Sequence, residues 1–188
     1  MDILARERLE TAIGFFADRY CRKHRQGPSQ TEVYKFLAFV EFASIKEVGK
    51  PVFGLRYLAM EWGPVPIDFY EEVKTRSPAR FKYFVTVRDS LSSGKSVIRF
   101  LPKKGVSYPL DLFSRRERTL LERFAEILVG KGLTARDYSE ASHERIKAWR
   151  VAYERKPNSV MKYFDEVETE EARERLETWL ELKEAFGG

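Results

Sequence analysis

This chain is poor in the residues that support covalent or metal chemistry. In 188 residues it has one cysteine, Cys21, two histidines and three methionines. A single thiol excludes an intrachain disulfide and suits a reducing compartment, so the expected location is cytoplasmic. Two histidines and one cysteine are too few for a zinc site of the usual ligand types, and neither a metal nor another cofactor is expected. No apolar run approaches the ~20 residues that span a bilayer, which argues against a membrane partner. The opening MDILARERLE is charged from its second residue and does not read as a signal peptide. A phosphate-cradling glycine loop is also missing. SSGKS is too short for a Walker loop, lies between two strand-like runs and reads as a turn.

Apolar and charged residues are plentiful. The chain is 43% hydrophobic, 14% aromatic and 34% charged, which fits a packed core under a heavily ionised surface and excludes a disordered chain. The length fits a single domain spanning 1–188. A net charge of +5 admits an acidic protein partner or a nucleic acid.

Apolar residues at helical spacing (Leu9, Ile13, Phe16, Ala17, Tyr20) predict a helix over 3–24, with a basic end that suits its dipole. Ser29 and Glu32 have the spacing of a capping box. The helix that follows, 30–47, carries Val33, Phe36, Leu37, Val40, Phe42 and Ile45 over more than one face, as a buried central helix does. Gly49 and Pro51 end it. LRYLAM reads as a brief strand or a helical turn, and periodicity does not separate the two. In Trp62-Gly63-Pro64-Val65-Pro66 the prolines forbid α geometry in the residues before them. That stretch reads as a rigid corner, pinned to the core by Trp62 and leading into a helix over 67–75. FKYFVTV and KSVIRFLP predict a hairpin with strands near 82–88 and 95–101. Ser114 with Glu117 and Thr134 with Asp137 open two further helices, and the second is expected to run to Pro157. The terminal helix, 169–188, should turn Leu176, Trp179, Leu182 and Phe186 inward. The sum is a mainly helical α+β fold.

The order of these pieces resembles the Panacea, or SocA-like, antitoxin domain, a family also met in phage-associated proteins. The resemblance spans about residues 10–166. Its specific parts are the Ala59-Met-Glu-Trp62-Gly63-Pro64-Val65 stretch before a helix containing Tyr70, and His143 followed by Trp149. Lys35, Gly49 and Gly54 accompany them. The family's central helix usually reads Lys-Leu-Leu-Tyr-Phe-Ala-Asp, whereas here it is Lys35-Phe-Leu-Ala38-Phe-Val-Glu41. The helix over 169–188 looks like an addition. The resemblance implies a protein that binds and neutralises a partner toxin, with the toxin encoded by the adjacent gene. It also implies a role like that of the SocA branch, which hands its toxin to the ClpXP protease. Neither role needs a catalytic residue.

Two rival readings are weighed against that one. Ser139 and His143 are four residues apart and could meet on one helix face, but no oxyanion loop or nucleophile elbow accompanies them. A bend between two helices, with Trp149 packed below His143, accounts for the histidine. Adjacent carboxylates such as Glu71 and Glu72 point to different parts of a helix surface and make no acid–base pair. The second rival is a winged-helix-like DNA-binding regulator. Arg80, Lys82, Arg88, Lys95, Arg99, Lys103 and Lys104 lie on or beside the 82–101 hairpin, where a wing would touch phosphate. Against it, the helix over 67–75 carries Asp68, Glu71 and Glu72, which phosphate would repel.

Overall fold

The structure is a computed structural model that describes residues 2–90, 94, 96–130 and 132–186. Helix α1 (Ile3–His24) starts on Asp2, whose carboxylate accepts from the Ala5 amide at 2.7 Å, and ends on a left-handed Arg25. Helix α2 (Gln30–Val48) opens on the expected capping box: the Ser29 amide donates to the Glu32 carboxylate at 2.5 Å and the Glu32 amide to the Ser29 hydroxyl. Gly49 closes α2 at φ 67°. The helix is buried on nearly every side: Val33, Phe36, Leu37, Val40 and Ile45 have no exposed surface. Each such side chain contributes roughly 1.5–3 kcal/mol over its exposed state. Helix α1 packs against it together with α4 (Arg115–Gly130), α5 (Ala135–Arg145) and α7 (Glu170–Phe186), all in contact with α2.

Two small antiparallel sheets complete a mainly helical α+β fold, 61% of it helix. In one, β1 (Tyr57–Met60) pairs with β2 (Gly63–Pro66), and α3 (Ile67–Arg76) follows directly. In the other, β3 (Ala79–Arg80), β4 (Phe84–Ser90) and β5 (Ser96–Pro102) lie in chain order. The expected 82–101 hairpin is this β4–β5 pair; of its tip, residues 91–93 and Lys95 lie outside the described residues. Helix α6 (Lys147–Arg155) precedes the 158–161 segment, which lies along β1 through a Leu58–Val160 bridge.

The ambiguous LRYLAM is resolved as a strand, and the corner after it is a strand as well. A two-residue turn joins β1 to β2, so Met60 and Gly63 close the loop and hydrogen-bonded pairs alternate from there. Pro64 and Pro66 face Ala59 and Tyr57, the positions where the ladder asks for no amide. The prolines therefore fit the hairpin instead of breaking it.

The helix expected to run to Pro157 is interrupted at Ile146, with φ −105° and ψ 99°. Glu166, remote in sequence, accepts from the Ala148 amide at 2.8 Å and caps α6 at that break. In α7, Leu176 is buried and Trp179 half-buried, but Leu182 is 53% exposed. Helix α7 packs on α2 with its middle and leaves its last turns over the edge; the Phe186 side chain lies outside the described part.

Candidate functional site

Lys35 lies in the first half of α2, facing the β1–β2 turn. The residue is only 2% exposed, and its ammonium donates to the Trp62 carbonyl. Desolvation brings its pKa down to about 7. Trp149 of α6 donates from Nε1 to the Met60 carbonyl at 3.0 Å. His143 of α5 lies flat against Trp149, with 3.8 Å between ring centroids and 7° between planes. Tyr153 also stacks on Trp149, at 4.8 Å. Burial and the nearby Lys35 charge hold the imidazole below its ordinary pKa, against the opposing influence of Glu140 and the Glu61 main chain.

Gly63 makes this approach possible. Its φ is 98°, and a Cβ there would sit 2.2 Å from Lys35 Nζ and 2.4 Å from Ser142 Oγ. Only glycine supplies both the backbone angle and the space. Three helices thus converge on one turn, 60–63, and what they grip is main chain.

The tryptophan in that turn is not the anchor. Trp62 is 62% exposed, whereas Trp149 is buried. The expectation that Trp62 pins the stretch to the core is corrected: Lys35 and Trp149 hold the backbone on either side, and the Trp62 ring is left in solvent. Ala59 and Pro64 are buried beside the turn and Val65 is half-buried.

The remaining motif residues fall in two other places. Gly49 seats α7: a Cβ on it would lie 1.7 Å from the Ala172 carbonyl oxygen. Gly54, at φ 66°, faces the Trp179 ring. Tyr70 sits half-buried on α3, edge-on to Tyr34 at 6.2 Å and under the Lys74 ammonium.

Three polar residues have no structural role assigned to them from the sequence. Glu41 is fully buried and accepts from the Val52 and Phe53 amides at 2.7 Å, the Leu55 amide at 3.1 Å and the Tyr163 hydroxyl at 2.7 Å. Burial raises its pKa, and these donors oppose the rise. The signal was present: a carboxylate in the middle of YKFLAFVEFASI must be bonded if the helix is buried. Glu166, with its pKa raised to about 7 by burial, had no such local signal. Ser142 packs against Gly63 while its hydroxyl donates back to the Ser139 carbonyl at 2.8 Å. An apolar groove of about 610 Å³ lies between α2, α4 and α5, floored by Phe39, Phe42, Phe124 and Leu128.

Chemistry at the clamp is tightly limited. His143 Nε2 is buried with no hydrogen-bond partner among the described residues, so no nucleophile is engaged there. Glu72 is committed to Arg6, which donates to its two oxygens at 2.5 and 2.8 Å. On the other hairpin three of the named cations are spent internally, whereas Arg80, Lys103 and Lys104 have no ion pair among the described residues. Lys82 pairs with Glu7, and Arg99 pairs with Asp89 at 2.8 Å. Arg88 donates to the Ser77 and Lys74 carbonyls at 3.1 Å. Among the described residues no group of metal-ligating side chains is assembled, and no helix is long and apolar enough to cross a membrane.

A family model described as "Antitoxin SocA-like, Panacea domain" matches residues 33–150, more than half of the chain. The matched span begins in the first turn of α2 and ends within α6, so it contains every residue of the clamp except Tyr153. No curated protein and no solved structure matches.

Proposed function

This chain belongs to the SocA-like, Panacea-domain family of antitoxins, and from that premise we propose that it neutralises a partner toxin by binding it. One observation carries the reading: the motif residues converge to hold a backbone turn rigid and a tryptophan outward. Where Gly63 meets Lys35 and Ser142 there is no room for even a methyl group. A site built to transform a small molecule needs space beside its polar groups; a rigid presenting loop does not. The protein therefore acts without catalysis, as a single domain in which 169–188 is an addition whose helix α7 is seated on Gly49. Its place of action is the cytoplasm. Delivery of the bound toxin to ClpXP extends the same reading.

The test is co-expression with the adjacent open reading frame. The expected result is a neighbour that arrests growth alone, is harmless beside this chain and co-purifies with it. A harmless neighbour that does not co-purify overturns the reading. The toxin's lifetime in cells with and without the protease separates neutralisation by binding from neutralisation by delivery. The DNA-binding alternative predicts retention in a gel shift that weakens steeply with salt.

A further inference from the structure

The clamped hairpin has two faces. Tyr57, Ala59, Pro64 and Pro66 turn inward and are buried. Directly opposed residues share a face, so Leu58, its partner Val65 and its bridge partner Val160 lie together on the other side. Met60, two residues from Leu58, joins them. Leu58, Met60 and Val65 are half-buried, and Val160 is 53% exposed. Trp62 stands at the turn end of this row. The outer face is thus an uninterrupted apolar strip ending in an exposed indole.

Its edges are charged unequally. The same alternation puts Arg56 beyond Leu58 and Lys162 beyond Val160, at the end away from the turn. Arg56 is already paired with Asp68 at 2.5 Å. Lys162 and Lys156, on either side of the 158–161 segment, are exposed and have no ion pair among the described residues. Glu61 is exposed in the turn. The free charge along the segment is therefore positive.

Resting on the antitoxin reading above, we propose that this outer face is where the toxin docks, and that the toxin presents to it an apolar strip edged by Asp or Glu. An exposed tryptophan held by a rigid backbone loses little freedom on binding, and tryptophan is the residue type most enriched among interface hot spots. The apolar row forms the centre of the contact. Lys156 and Lys162 meet the partner's carboxylates at the rim, where charge acts mainly on the rate of encounter.

The experiment uses the full chain and the adjacent-gene toxin, with affinity measured by titration and neutralisation by growth. Trp62→Ala is expected to weaken binding at least about 30-fold, and Val160→Asp comparably. Lys162→Glu should weaken it about tenfold at low salt, with the difference shrinking as salt rises. All three alter exposed side chains, and unchanged melting temperatures confirm that the fold is intact. Hydrogen exchange of the wild-type complex should show new protection over 57–66 and 158–162. Unaltered affinity in folded Trp62→Ala and Val160→Asp overturns the docking face and leaves the antitoxin reading standing. A wild-type chain that neither protects cells nor captures the neighbour overturns both. Loss of self-association in these variants, with toxin binding intact, makes the occupant a second copy of this chain and overturns the proposal.

Discussion

The β4–β5 hairpin has seven-residue strands, an aromatic pair in Phe84 and Phe100 with centroids 5.5 Å apart, and a ladder that continues to β3. The β1–β2 hairpin has four-residue strands, two of its eight residues proline. A hairpin that short is marginal alone. It persists because Lys35, Trp149 and the 158–161 segment hold it from the surrounding structure. The first hairpin carries the longer ladder and spends Arg88 and Arg99 on its own neighbours. The second is supported by others and leaves its outer face free. The difference teaches that the stretch proposed to meet a partner is the one whose shape owes least to its own sequence propensity.

The contrast is broken most severely at glycine. Gly63→Ala should cost about 3 kcal/mol or more, because a strained φ is compounded by a clash with Lys35 and Ser142. Gly94, in the β4–β5 turn at φ 77° with open space around it, should cost only about 1 kcal/mol as alanine. Urea denaturation of the two variants measures the gap, and equal losses would contradict the clamp. Next is Trp149→Ala, expected to cost about 3–4 kcal/mol through lost stacking and the lost hydrogen bond to the Met60 carbonyl. Trp149→Phe keeps a ring and loses only the hydrogen bond, for about 1–2 kcal/mol.

Stability against pH sharpens the comparison further. Lys35 has its pKa lowered from 10.5 to about 7, so between those values the unfolded chain holds a proton that the folded chain has released, and stability climbs with pH. That contribution is lost as pH falls through about 7. Glu166 has its pKa raised from 4.5 to about 7, so in that window the folded chain keeps a proton the unfolded chain has released, and stability falls as pH rises. The two groups together place a minimum near neutrality. Lys35→Met should flatten the upper limb and Glu166→Gln the lower one, read as urea midpoints across pH. On the other hairpin, Arg99→Ala should leave both limbs in place and cost about 1 kcal/mol, the scale of its pair with Asp89 and its bond to the Gly27 carbonyl. The smallest effect on stability belongs to Trp62→Ala, within about 0.5 kcal/mol by thermal melting.

Legibility in the sequence followed how local each cause was. The capping boxes at Ser29, Ser114 and Thr134 were readable because both halves lie within one turn of chain. So was the β4–β5 hairpin, whose strands alternate apolar residues across a short connection. The break at Ile146 was hidden, because the carboxylate that caps α6 comes from Glu166, eighteen residues past Ala148. Trp62 was misassigned for a related reason. A tryptophan beside prolines has the composition of a core anchor, and only the long-range bonds to its flanking carbonyls show that the backbone is held instead.

The order of amino acids by itself determined the mainly helical α+β character, the burial of α2, the helix starts and the family, since each depends on short-range spacing or on motif order. Only the tertiary structure decided that Lys35, Gly63, His143 and Trp149 meet at one turn, that GPVP is a strand and that Trp62 faces water. These positions lie as far as 114 residues apart, from Lys35 to Trp149. Their meeting is set by packing around α2, a long-range property that no local pattern in the chain encodes.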